Sequence, residues 1–176
     1  PCMLKLRMFV LPSPENLKNA ELVICDSETA SQAHMELFRS CDIQYIISDK
    51  AASLLDYLSH IINTYYLSSP LRKIHLVMGW TNILQISLWK TAKPAVGDIF
   101  TLLRNEGISS EELQPFKASD INDIFPWLYY GKRFDILRRL CHIAKRKVED
   151  NFKKYSIAVE CHIIAEDTKK IVASSL

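Results

Sequence analysis

Hydrophobic and polar residues alternate most regularly in two stretches of the chain, residues 35–47 and residues 155–165. A period of two residues is typical of a β-strand with one buried face. The pattern therefore predicts a long strand at each place. Residues 74–78 alternate in the same way up to Gly79 and predict a third strand, and Glu21–Cys25 is a further candidate.

Apolar residues recur at helical spacing in two other stretches, residues 49–66 and residues 135–150. Both are predicted to be amphipathic helices, the first with an N-cap at Ser48-Asp49. Residues 96–105 are predicted to form a helix closed by Gly107, and Ser109 with Glu112 indicates a further helix start. Strands and helices together favour an α+β fold, an antiparallel sheet packed against two or three helices.

The length of 176 residues fits one domain, and no repeat or linker divides the chain. We expect residues 33–176 to form a single core domain. Residues 1–32 mix polar turn chemistry with one strand candidate. We expect them to be an N-terminal arm or irregular segment, with or without partial order.

Positive charge is concentrated in one segment, residues 132–154, which carries nine cations and three acids. Its net charge is +6 while the whole chain is +2, which leaves −4 for the rest. A basic helix face can bind phosphates of RNA or anionic lipid headgroups, although solvated helix faces are also often charged. The candidate binding residues are Lys132, Arg133, Arg138, Arg139, Lys145, Arg146, Lys147, Lys153 and Lys154. Lys145–Lys147 also matches a short nuclear-localisation signal.

The segment just before the basic helix is rich in aromatic residues. Trp and Tyr side chains suit a membrane interface or a protein partner, because one end is apolar and the other is polar. The alternative is an ordinary core segment with a proline turn. The candidates for self-association or membrane contact are Phe125, Trp127, Tyr129 and Tyr130.

No catalytic residue, metal ligand, cofactor or small-molecule substrate is predicted. The four glycines are too dispersed to form a phosphate-binding loop. His142 and His162 each follow a cysteine, and because adjacent side chains diverge we interpret both as structural. The five cysteines are odd in number and form no C-x-x-C pair, which favours a reducing, intracellular location. We also expect no signal peptide and no membrane-spanning stretch.

The order of predicted elements resembles the matrix proteins of rhabdoviruses, especially the small plant-infecting type. The resemblance runs through the strand at 35–47, the helix at 49–66, the link at 69–73, the strand at 74–79 and the late strand at 155–165 ending in Glu166-Asp167. It covers about two-thirds of the chain by pattern and almost none by residue identity. It implies a virion protein that self-associates and bridges a ribonucleoprotein to an anionic membrane.

Three functions therefore stay open. The first is a viral matrix-type structural protein, whose partners are its own copies, nucleoprotein-RNA and a membrane surface. The second is a cellular nucleic-acid-binding or adaptor domain, located in the cytoplasm or the nucleus, that uses the same basic helix. The third is a small enzyme of a class that the sequence does not reveal.

Overall fold

The computed structural model describes residues 21–38, 44–46, 53–68, 71–117 and 119–176. They form a five-stranded sheet with the strand order β2-β1-β3-β4-β5. The strands are β1 (Glu21–Cys25), β2 (Gln44–Ile46), β3 (Lys73–Met78), β4 (Ala158–Ala165) and β5 (Lys170–Ser174). Strands β1 to β4 run parallel to one another, and only the edge strand β5 is antiparallel to its neighbour, β4.

The prediction of an antiparallel sheet is therefore wrong: the sheet is mixed and mostly parallel. Parallel neighbours need crossover connections, and helices supply them here. The described residues contain seven α-helices, not two or three. The helices are α1 (Glu28–Phe38), α2 (Leu54–Ser68), α3 (Trp80–Leu88), α4 (Val96–Asn105), α5 (Ser110–Leu113), α6 (Ile124–Tyr130) and α7 (Phe134–Asn151). The prediction of mixed helix and sheet is confirmed.

The sheet is buried on both faces. The larger core cluster joins Leu22 and Ile24 of β1 to apolar residues of α2, α3 and α7. A smaller cluster on the opposite face joins Val23 and Cys25 to Ala30 and Ala33 of α1. The central strands are therefore buried at nearly every position, as is usual for parallel sheets.

The predicted strand at 35–47 is wrong at its start, because Met35–Phe38 belong to α1. The residues that α1 buries are Ala30, Ser31, Ala33 and His34. Small and polar residues give a weak hydrophobic signal, while Leu37, which is exposed, strengthened the apparent alternation. Only Gln44–Ile46 of the predicted strand is observed as a strand, and residues 39–43 and 47 lie outside the described residues.

Other predicted elements are confirmed with small shifts. Helix α2 begins at Leu54, where Ser53 Oγ accepts a hydrogen bond from Asp56 N, and the predicted cap at Ser48-Asp49 lies outside the described residues. Helix α4 has the predicted bounds, and Gly107 follows it with a positive φ of 93°. Strand β4 begins at Ala158, three residues later than predicted, because Lys153–Tyr155 form a 3₁₀ turn.

Residues 21–32, at the end of the predicted N-terminal arm, contain β1 and the start of α1. Strand β1 lies between β2 and β3, and α1 crosses the predicted boundary at residue 33. Residues 1–20 lie outside the described part of the chain. Within that part, no helix is long and apolar enough to cross a membrane.

Candidate functional site

The predicted basic helix exists as α7, and its two faces differ sharply. Ile136, Leu137, Leu140, Cys141, Ala144 and Val148 are buried against the rest of the core. The cations lie around the other side, where Arg138, Arg139, Arg146 and Lys147 are exposed. The helix has 18 residues and is about 27 Å long, and its cations from Arg138 to Lys147 cover about 14 Å of that length.

Two of the nine predicted cations are engaged in ion pairs. Arg133 pairs with Glu112 and its guanidinium lies 4.5 Å from the centre of the Trp127 ring. Arg139 lies 2.7 Å from Asp135 and 3.8 Å from Glu106. The other seven form no ion pair with another described residue, although the ammonium of Lys154 lies 4.5 Å from the centre of the Tyr155 ring. These seven are Lys132, Arg138, Lys145, Arg146, Lys147, Lys153 and Lys154.

The segment Lys145–Lys147 lies inside α7. Val148, the next residue, is fully buried and holds this turn of the helix against the core. Lys145 is itself half-buried, whereas Arg146 and Lys147 are exposed. The nuclear-localisation reading of this tripeptide stays a prediction.

The aromatic segment before α7 belongs partly to the core and partly to the surface. Phe125 and Trp127 pack against the large core cluster, and the rings of Phe125 and Tyr129 are stacked 5.8 Å apart. Tyr130 is 67% exposed, and its hydroxyl donates a hydrogen bond to Asp167. Of the four predicted contact residues, Tyr130 is therefore the one that projects most into solvent.

A second candidate site, which the sequence did not predict, is a cluster of three histidines on the α1 side of the sheet. His34 comes from α1, His75 from β3 and His162 from β4. All three are buried, and one ring nitrogen from each lies within 4.8 Å of the others. We call this group the histidine cluster. His142, by contrast, lies half-buried on α7 and takes no part.

The ring contacts within the histidine cluster are close. His75 Nδ1 lies 3.3 Å from His162 Nε2, and the two rings are nearly parallel. The ring centre of His34 lies 4.9 Å from that of His75 and 5.9 Å from that of His162. Phe38, one turn after His34 on α1, packs against all three rings.

Charged residues on the neighbouring strands approach the cluster from one side. Glu160 of β4 forms an ion pair with Lys73 through Oε1, at 2.6 Å, and its Oε2 lies 3.4 Å from His75 Nδ1. Glu21 Oε2 of β1 lies 3.7 Å from His75 Nε2. On the other edge, Ser174 Oγ of β5 lies 2.9 Å from His162 Nδ1.

The surroundings keep the histidines neutral at physiological pH. Burial, followed by the proximity of His75 and Lys73, lowers the pKa of His34 to about 4. Burial, followed by the other two histidines, lowers the pKa of His162 to about 3. Burial also lowers the pKa of His75, although the carboxylate of Glu160 opposes this shift. A neutral imidazole has one unprotonated nitrogen, which can accept a hydrogen bond or bind a metal.

Sequence reasoning missed this cluster because its members are 41 and 87 residues apart and no local motif joins them. One signal was present: the alternation of β4 places Glu160 and His162 on the same face, as the alternation of β3 does for Lys73 and His75. The sequence did not show that β3 and β4 pair in parallel, which brings His75 and His162 together. It also did not show that His34 lies in a helix.

A scan against protein-family models, a search of curated proteins and a search of solved structures each found no match for this chain.

Proposed function

We propose that this chain is a binding module whose basic side of α7 contacts single-stranded RNA. The observation that carries the proposal is the group of seven α7-region cations that form no ion pair with another described residue. The formal net charge of the whole chain is only +2, yet these cations all lie along one helix and its two ends. Such a row attracts a chain of phosphates, whose bound counterions are released on binding.

The packing of α7 favours a nucleic acid over a membrane. A helix that lies in a membrane interface inserts its apolar face between the lipids. The apolar face of α7 is instead buried in the protein core, so only charge attraction is left for a lipid surface. An extended phosphate chain needs no apolar insertion, and the exposed ring of Tyr130 near Lys132 offers a surface on which a base can stack.

Fluorescence anisotropy with a labelled single-stranded RNA tests the proposal. We expect binding to weaken steeply between about 50 and 200 mM salt. The triple variant Arg138→Glu, Arg146→Glu, Lys147→Glu is expected to lose at least tenfold in affinity and to show a shallower salt dependence. Circular dichroism should show an intact fold, because all three side chains are exposed.

The matched control reverses three exposed cations that are outside α7 in the sequence: Lys93→Glu, Arg104→Glu and Lys117→Glu. This control changes the net charge by the same amount, so it should retain most of the affinity. Equal losses in both variants would show a general charge effect and overturn the assignment to α7. Binding to vesicles containing phosphatidylserine without binding to RNA would overturn the choice of RNA.

Self-association into a layer that links a ribonucleoprotein to a membrane, as the rhabdovirus resemblance implies, stays a prediction. Its first corresponding stretch, residues 35–47, begins in a helix instead of a strand. Light scattering across protein concentration and salt, with and without RNA, tests it. Growth into large assemblies on adding RNA would support the matrix role, and a monomer at every concentration would contradict it.

A further inference from the structure

The histidine cluster has the composition and burial of a metal site. His34, His75 and His162 are 1%, 4% and 0% exposed, and one ring nitrogen of each lies within 4.8 Å of the other two. Imidazole nitrogen is among the commonest protein ligands for zinc and other divalent transition metals. The three residues come from three different elements, so the convergence does not follow from neighbouring positions in one helix or strand.

Unsatisfied atoms point to a ligand in the cluster. Neither ring nitrogen of His34 has a hydrogen-bond partner among the described residues, although both are buried. Glu160 Oε2 is also buried and also has no hydrogen-bond partner among the described residues. A buried polar atom without a partner costs about 1–3 kcal/mol, so two side chains in this state at one place need an explanation. A cation bound between them would give a partner to one ring nitrogen of His34 and to Glu160 Oε2.

The distances fit tetrahedral coordination. Zinc binds nitrogen at about 2.0–2.1 Å, so two ligand atoms of a tetrahedral site are roughly 3.3 Å apart. His75 Nδ1 and His162 Nε2 are 3.3 Å apart, and His75 Nδ1 and Glu160 Oε2 are 3.4 Å apart. Both distances involve His75 Nδ1, and Glu160 lies outside the group of ligand atoms that are all within 4.8 Å of one another, so its carboxylate must move toward the other two histidines to bind. The nitrogen of His34 lies within 4.8 Å of the other two and completes the set after a modest ring adjustment.

The outer ring nitrogens of His75 and His162 have the partners that metal-bound histidines usually have. His75 turns Nε2 toward the carboxylate of Glu21, and His162 shares a hydrogen bond between Nδ1 and Ser174 Oγ. When these outer nitrogens carry the protons, the inner nitrogens present lone pairs to a metal. An unprotonated nitrogen of a neutral imidazole is the form that binds metal.

We propose that His34, His75 and His162, with Oε2 of Glu160 as the fourth ligand, form a zinc site that joins α1 to strands β3 and β4. The coordination is closed, because all three rings are buried and four protein ligands fill a tetrahedral site. Closed four-ligand sites of this kind stabilise a fold, whereas catalytic sites keep a position for water or substrate. The zinc here is a structural ion, and Lys73 balances part of the charge of Glu160 through its ion pair.

The first experiment measures zinc content and thermal unfolding of the whole chain. After chelation and dialysis, adding zinc should restore one ion per chain, measured by elemental analysis. It should also raise Tm by about 5–10 °C when zinc is present at about a hundred times its Kd. Less than a tenth of an ion per folded chain together with an unchanged Tm would overturn the proposal.

Variants separate this site from other zinc-binding groups. His34→Leu removes a ligand while keeping a side chain of similar bulk, and should abolish both the bound zinc and the rise in Tm. The control His60→Gln changes an exposed histidine on α2 and should keep both. Zinc binding that survives in His34→Leu, or that disappears in His60→Gln, would overturn the assignment.

A further pair of measurements covers the case in which His34→Leu fails to fold. Glu160→Gln keeps all three histidines, and we expect at least a tenfold weaker zinc affinity, while unchanged affinity would overturn Glu160 as the fourth ligand. In the unmodified chain, cobalt should give the visible absorption of a tetrahedral ion without a thiolate charge-transfer band. A thiolate band would assign the metal to cysteines and overturn the histidine site.

Discussion

At the scale of single residues, Asp26 shows how one carboxylate can organise a neighbouring helix. Its Oδ2 accepts hydrogen bonds from Gly79 N, at 2.5 Å, and from Asn82 Nδ2, at 2.8 Å, and so holds the first turn of α3. The carboxyl ends of parallel strands commonly bind ligands, but here this carboxylate has a structural partner. Burial raises the pKa of Asp26 even though these hydrogen bonds oppose the shift.

The raised pKa gives a prediction about stability and pH. The pKa of Asp26 is higher in the folded chain than in the unfolded chain, so protonation of this carboxyl stabilises the fold at low pH. This stabilisation is lost as the pH rises through the pKa of the folded state. Asp26→Asn keeps an oxygen acceptor without charge and should be at least as stable as the unmodified chain at pH 7. Asp26→Ala should lose about 1–2 kcal/mol in urea unfolding at pH 7. An equal loss in both variants would contradict the prediction.

At the scale of elements, the short helix α5 depends on its cap. Ser109 Oγ accepts a hydrogen bond from Glu112 N at 3.2 Å, and Glu112 Oε2 accepts one from Ser109 N at 3.0 Å. The same Glu112 pairs with Arg133 before α7, so the cap also links two helices. The sequence predicted this capping box correctly, because the interaction spans only four residues.

Removing the cap gives the second prediction. Ser109→Ala should lower the free energy of unfolding by about 1 kcal/mol, because Glu112 N loses its acceptor. Ser110→Ala, at the next exposed position, is the matched control and should change it by less than about 0.5 kcal/mol. Urea unfolding of both variants compares them directly, and equal effects would show that the cap contributes nothing measurable.

At the scale of the whole molecule, the core protects the described cysteines. Cys25, Cys141 and Cys161 are free and buried in β1, α7 and β4. Burial raises the pKa of the Cys141 thiol to about 12 and raises that of the other two as well. Thiolate is the reactive form, so these thiols should react only when the fold opens.

Alkylation followed by mass spectrometry tests this third prediction. In the native protein at pH 8, Cys25, Cys141 and Cys161 should stay unmodified while the fold persists, whereas all five cysteines should react after unfolding. Rapid native labelling of the three would contradict their burial. A shortfall of two in the unfolded, non-reduced sample would instead show a disulfide and contradict the expected reducing compartment.

The sequence by itself determined the elements whose signals are local. Helices α2, α4 and α7 follow from apolar residues at helical spacing, and β3 follows from its alternation and the stop at Gly79. The sequence also predicted that α7 is basic, because its cations and its buried apolar residues alternate with helical spacing within one segment. Each of these features depends on residues a few positions apart, so the chain encodes them without reference to distant parts.

Only the tertiary structure decided how the strands pair and what meets at their faces. Alternation does not distinguish parallel from antiparallel neighbours, because it reports the faces of one strand and nothing about the next. The small buried residues of α1 gave too weak a signal to show its helix. The histidine cluster depends on the pairing of the strands and on the position of α1. Helix α1 brings His34 over the sheet, and the parallel β3–β4 pairing brings His75 beside His162. Contacts between residues so far apart in sequence exist only in the folded chain.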